Sequence, residues 1–349
     1  MRSRVGFMKK VNALACYYGI VSLLLMGCST NGGQHERRFG QENALWTESV
    51  YLRGYQPTTR EKLTDEHLRE YAETLKNNGI KYAYLFAGPY GEDGHLPDYA
   101  FATTAIRSVK RLKEYYPEIV ILPWVGGVQN KTVHLQDAVW VAQAIADTKK
   151  LVETLDVPGV HVDFEYILPG DPYLDQTIGK EQPGQREAYG NTVNNFHKKL
   201  REAMPHAFVS SVVLATSPDT KPWKRKTSMV ELSQLTQYVD QLAFLFYDTA
   251  IHSQALFEKN CNLLLQDIQT LKNNNDIQYL IAIGTFINEP ELHKYRNVEI
   301  ESIPNSLETI KQEVLRLDST TKIVDGIAVY ADWTTEKEEW EEFRRCWVK

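Results

Sequence analysis

Asp163 and Glu165 end the run Gly159-Val160-His161-Val162-Asp163-Phe164-Glu165-Tyr166. The run reads as a buried β-strand. Side chains alternate along a strand, so His161, Asp163 and Glu165 face one side. At a rise of about 3.3 Å per residue, the two acidic Cα atoms are about 6.5 Å apart. Two carboxylates that close, beside Phe164 and Tyr166, cannot both ionise at little cost. One pKa is expected to rise, which lets a carboxylic acid donate a proton near neutrality. Cleavage of a glycosidic bond needs that chemistry. Charges at a strand end that simply face water are the plain alternative.

The elements that would position these residues alternate along the chain. Strand-like runs rich in β-branched and aromatic residues fall at Ser49–Arg53, Tyr82–Ala87, Ile119–Val125, Gly159–Glu165, Phe208–Ala215, Val239–Phe246, Tyr279–Gly284 and Gly326–Tyr330. Helix-like segments lie between them at Thr64–Asn78, Ala102–Tyr115, Leu135–Leu155, Gln185–Met204, Thr227–Thr236, Ser253–Lys272, Ser306–Leu317 and Thr335–Arg345. Thr64 and Thr335 stand at N-cap positions, and Asn78-Gly79 closes the first helix. This predicts an α/β fold, a (β/α)8 TIM barrel forming one domain over residues 44–349. A doubly wound open sheet is the rival, but no Gly-x-Gly-x-x-Gly follows the first strand.

In a barrel, functional groups gather at the C-terminal strand ends. Trp124 would end the third strand, Asp163 and Glu165 the fourth, Tyr247 and Asp248 the sixth, and Tyr330, Asp332 and Trp333 the eighth. Polar and aromatic groups on one rim suit a sugar, although Trp124 and Tyr247 would serve equally as packing. The segment Ile167–Glu187 follows the acid directly and reads as an ordered lid. In the second long loop, Gly88–Tyr99, Asp93, His95 and Asp98 could contact sugars, although local turn preferences account for them more simply.

The 349 residues carry a net charge of −6 with no basic stripe, so nucleic acid is not an expected partner. No Cys/His spacing suits zinc, and neither a metal nor a cofactor is expected. Arg2, Arg4, Lys9 and Lys10 precede the apolar segment Val11–Met26, which reads as an export signal too short to be a structural membrane span. Leu25-Met26-Gly27-Cys28 resembles the bacterial lipobox. That resemblance implies a signal peptide over residues 1–27, lipid on Cys28, and anchorage of an exported protein to a membrane of the bacterial cell envelope. Residues 28–43 then read as a flexible tether. Cys261 and Cys346 remain, and their pairing is open.

The strand-end motifs resemble glycoside hydrolase family 18, the chitinase-like barrels. Pro158 to Glu165 aligns with that family's Asp-Gly-x-Asp-x-Asp-x-Glu, Val125-Gly126-Gly127 with its third-strand end, and Phe246-Tyr247-Asp248 with its Met-x-Tyr-Asp. Gly326–Tyr330 sits where the family often ends a strand in Trp. The resemblance implies substrate-assisted, retaining hydrolysis of β-linked N-acetylhexosamine glycans. Glu165 would be the general acid and then base, Asp163 would orient the 2-acetamido group, and Tyr247 would hold it. Trp124, His161, Asp248, Tyr330 and Trp333 would line the sugar site. Pro158 and His161 replace two family aspartates. A neutral His161 is expected to hydrogen-bond Asp163, and a protonated one to keep it ionised. Tyr330 in place of Trp weakens the apolar floor, which Trp333 would restore if its loop turns inward.

Three other readings stay open. A glycosidase for another sugar would use Asp248 or Asp332 as its second carboxylate. A non-catalytic barrel would bind a glycan or another envelope ligand without cutting it. An envelope scaffold would have a closed rim.

Overall fold

The alternation of short apolar strands and amphipathic helices closes into a barrel. A computed structural model describes residues 39–129, 131–165, 185–214, 231–249, 251–285, 296–318 and 322–348. The strands are β1 (Asn43–Thr47), β2 (Ile80–Pro89), β3 (Val120–Val128), β4 (Gly159–Glu165), β5 (Phe208–Leu214), β6 (Gln241–Leu245), β7 (Gln278–Gly284) and β8 (Gly326–Tyr330). They pair in sequence order, all parallel, and β8 returns to β1. The helices are α1 (Val50–Arg53), α2 (Asp65–Asn77), α3 (Thr103–Tyr115), α4 (Ala138–Leu155), α5 (Gln185–Ala203), α6 (Leu232–Leu235), α7 (Gln254–Lys272), α8 (Ile303–Leu317) and α9 (Lys337–Cys346). The predicted (β/α)8 barrel is therefore the observed fold.

Periodicity explains the layers. Helix α2 buries Leu68, Tyr71, Ala72 and Leu75, and α3 buries Ala105, Val109 and Leu112, each a helical stripe. Thr64 caps α2 as expected, exchanging bonds with His67. At α9 the cap is Glu336 rather than Thr335, because Glu336 forms a capping box with Glu339. Inside the barrel, Ala44, Trp46, Tyr82, Tyr84, Leu122, Leu280 and Ala328 alternate inward to form the core.

The first strand departs from its predicted place. Ser49–Arg53 contains the short helix α1, and β1 is the earlier Asn43–Thr47. Gly54 explains the helix end: it takes a left-handed φ of 74° and its N–H returns to the carbonyl of Val50. Packing also begins inside the predicted tether. The Phe39 ring lies 5.2 Å from that of Trp347, whose indole N–H donates to the Gly40 carbonyl at 3.1 Å. Residues 1–38, with Cys28, lie outside the described residues. Cys261 and Cys346 are separate buried thiols.

Asn43 closes the ring. Its buried side-chain oxygen accepts from Ile327 N and from Trp347 Nε1, both at 3.0 Å, and its amide donates to the Gly79 carbonyl at 3.2 Å. Asn43→Ala strands the buried Ile327 N–H, while the Trp347 indole keeps the Gly40 carbonyl, and is expected to cost about 2 kcal/mol in urea unfolding. A loss below about 1 kcal/mol would show that water satisfies that donor instead.

Candidate active site

Strand β4 alternates as a strand must. Phe164 points out to the helix layer, edge-on to Phe196 at 4.8 Å, while His161 and Asp163 are buried and Glu165 ends the strand exposed. Beside it, β3 runs through Gly126, whose φ of +154° brings the chain so near that an added Cβ would lie 1.8 Å from the Asp163 carbonyl oxygen. Gly126 is therefore a device for close approach at the acidic strand.

His161 lies in the barrel interior with no exposed surface. Its ring stacks on Tyr84 at 3.7 Å, and Nε2 accepts from Trp46 Nε1 at 3.1 Å. An indole can only donate, so Nδ1 carries the imidazole proton and donates to Ser210 Oγ at 2.8 Å. Ser210 donates to Gln241 Oε1 at 2.7 Å, which also accepts from Tyr84. Gln241 donates to Gln278, and Gln278 donates to Tyr82 and Glu42, which pairs with Lys81 at the foot of the barrel. Burial pushes the His161 pKa well down. Two expectations are thereby corrected. Both ring nitrogens are taken, so His161 does not bond Asp163, and a side chain without exposed surface does not line a sugar site.

Trp124 takes the place expected of the histidine. Its indole N–H donates to Asp163 Oδ2 at 3.1 Å. Burial raises the Asp163 pKa well above the usual carboxylate range, the Glu165 charge raises it further, and the Trp124 bond opposes both. The carboxylate pair predicted from spacing is thus electrostatically coupled. Tyr247 joins it from β6. Burial lifts the Tyr247 hydroxyl well above its ordinary range, and the charges of Asp163, Asp248 and Glu165 add to that. Tyr330 stacks on Tyr247 at 5.3 Å and meets Trp46, Trp124 and Trp333 edge-on. Trp333 is 37% exposed and lies 5.3 Å from Tyr330, so it extends the aromatic floor at the rim.

The other two acidic candidates are held elsewhere. Asp248 Oδ1 accepts from Arg296 Nε at 2.7 Å, and its φ of 52° marks a tight turn. Glu301 accepts from the backbone N–H of Asp248 at 2.8 Å and of Thr249 at 3.1 Å. Asp332 accepts from Glu48 N at 3.2 Å, beside Tyr51 and Tyr71. The loop Gly88–Tyr99 is tied to α4, with His95 3.2 Å from Asp147 and Asp93 accepting from His95 N, as local turn chemistry predicts. The predicted lid lies largely outside the described residues, which omit 166–184. Sequence reasoning missed Trp46, Ser210, Trp124 as a donor to Asp163, and Glu301. Trp46 carried a signal, since it follows Ala44 by two in a strand placed too late.

Neither a family model nor a curated protein matches the chain. Solved structures do. A spore cortex-lytic enzyme of Bacillus cereus, SleL, matches with a TM-score of 0.55 at 12% identity, over 90% of this chain and 76% of its own. A class V chitinase from Pseudomonas fluorescens Pf-5 matches at 0.56 and 12% identity, over 88% and 99%. The catalytic domain of a family GH18 chitinase from the fern Peteris ryukyuensis matches at 0.53 and 13%, over 87% and 97%. The chain shares its fold with the family GH18 barrels. Within this barrel, the acidic strand ends beside a partly buried aromatic floor, and a neutral histidine fills the layer below.

The histidine makes stability depend on pH in a stated direction. The folded pKa lies below the unfolded value of about 6.5, so below that pH the unfolded chain binds the extra proton and stability is lost. The stability advantage of wild type over His161→Gln, measured by urea unfolding, is expected to shrink between pH 7 and pH 5. An advantage that stays constant over that range would mean the imidazole titrates alike in both states.

Proposed function

We propose that this protein is a glycosidase that hydrolyses β-linked N-acetylhexosamine glycans with retention, using the substrate's own 2-acetamido group. The observation that carries the reading is the buried Asp163, held by the Trp124 N–H and coupled to an exposed Glu165, with the neutral Tyr247 hydroxyl in the same electrostatic field. Glu165 protonates the leaving oxygen as the acetamido oxygen attacks the anomeric carbon. The acetamido group then carries positive charge. Asp163 faces that charge, and an opposite charge nearby favours the ionised carboxylate that burial alone disfavours. Tyr247, whose pKa is raised, keeps its proton at neutral pH and donates to the acetamido oxygen. Glu165 then takes a proton from water as the ring intermediate opens. Tyr330, Trp124 and Trp333 give the sugar ring an apolar floor.

The rival scheme needs a second carboxylate as nucleophile or base. Asp248 is engaged by Arg296 and Asp332 by the backbone at Glu48, which favours the acetamido as nucleophile. The likeness to chitinases and a cortex-lytic enzyme supports a glycan substrate without choosing one. From the lipobox-like Leu25–Cys28, we infer that the enzyme is exported and held at a membrane of the cell envelope by lipid on Cys28.

Glu165→Gln tests the reading against a non-catalytic barrel. Hydrolysis of N-acetylhexosamine oligomers, followed by mass spectrometry, is expected to fall by about 10²–10⁴-fold while binding persists. Wild type that binds the oligomers without cutting them would instead establish a binding protein.

A further inference from the structure

We propose that Glu301 is a positioning residue that holds Tyr247 over the site by pinning the backbone turn that follows β6. The inference rests on the reading of Tyr247 given above. Glu301 stands just before α8, 54 positions from Tyr247 in the chain, and is 5% exposed. Its carboxylate accepts three donors from the two residues after Tyr247. They are Asp248 N at 2.8 Å, Thr249 N at 3.1 Å and the Thr249 hydroxyl. Asp248 sits at a φ of 52°, a conformation that non-glycine residues adopt only when the surroundings fix it. Those surroundings are Glu301 on the backbone and Arg296 on the side chain, at 2.7 Å from Asp248 Oδ1.

The turn matters because Tyr247 has no strand of its own beyond Leu245. Strand β6 ends there, and Phe246 N still reaches the Ala282 carbonyl at 2.9 Å. From Tyr247 onward, the Glu301 carboxylate supplies acceptors that a further ladder rung would otherwise provide. A misplacement of about 1 Å at a positioning group can cost about a hundredfold in rate, so an anchor here bears on catalysis.

The charged group acting on Glu301 is Asp248, from the turn, which itself pairs with Arg296 from the segment before α8. Burial pushes the Glu301 pKa up to about 7, the Thr249 bonds oppose that, and the Asp248 charge adds to it. A protonated carboxyl loses acceptor capacity toward N–H donors. The turn is therefore expected to be tight on the alkaline side of neutrality and looser on the acid side.

The test uses the full chain as wild type, Glu301→Gln, Tyr247→Phe and the double variant, with folding checked by thermal melts. Hydrogen-exchange protection of the Asp248 and Thr249 amides is expected to fall at least tenfold in wild type between pH 8 and pH 5.5. In Glu301→Gln it should be low at both. On an N-acetylhexosamine oligomer, Glu301→Gln is expected to lower kcat/KM about tenfold, mostly through kcat, and to add nothing in the Tyr247→Phe background. Asp248 and Thr249 amides as well protected at pH 8 in Glu301→Gln as in wild type, or a Glu301→Gln loss that persists undiminished without the Tyr247 hydroxyl, would overturn the proposal. Should wild type cleave no such oligomer, the glycosidase reading fails, and the exchange measurement still decides whether Glu301 pins the turn. If Glu301→Gln does not fold, Glu301→Asp, whose carboxylate is drawn back by one methylene, is expected to show the same loss of protection at pH 8, and full protection there would overturn the proposal.

Discussion

Asp163 is a carboxyl group taken out of water, with the Trp124 N–H as its partner and a like charge two residues along the strand. The rest of the site follows from that constraint. A buried carboxyl resists ionisation, and a neighbouring Glu165 makes ionisation harder still. Such a group becomes a stable anion only when positive charge arrives. In the proposed mechanism, a sugar whose acetamido nitrogen becomes cationic during bond cleavage would bring that charge.

The layer beneath is neutral, and the chemistry of its donors explains why. Trp46 can only donate, so His161 must accept on Nε2 and is held as one neutral tautomer. Ser210, Gln241, Gln278 and Glu42 carry the bonding on to Lys81 at the other end of the barrel. A buried polar chain of this kind is stabilising only while each member is satisfied. It holds Trp46, which braces Tyr330, which in turn stacks on Tyr247. The histidine thus shapes the floor from below without entering the site.

Much of this was legible in the residues. The two-residue period of β4 put Asp163 and Glu165 together, and alternation of strands and helices gave the barrel and its rim. The first strand was misread because Val50-Tyr51-Leu52 carries stronger β-formers than Asn43–Thr47, whose strand character comes from pairing with β2 and β8. Propensity yielded to tertiary pairing and to the left-handed Gly54. The partners of His161 lie 115 and 49 residues away, a proximity that local pattern does not carry. Glu301 was invisible for a similar reason, since an acidic residue before a helix ordinarily serves the helix alone.

In the proposed mechanism the substrate, and not the protein, supplies the nucleophile. A parallel hydrolysis of a β-linked N-acetylhexosamine oligomer and its de-N-acetylated counterpart, with product anomers read by early-time proton NMR, tests it most directly. Cleavage of the acetylated oligomer is expected, with the β-anomer formed first, and no measurable cleavage of the other. Comparable rates on both oligomers, or an α-anomer formed first, would contradict it.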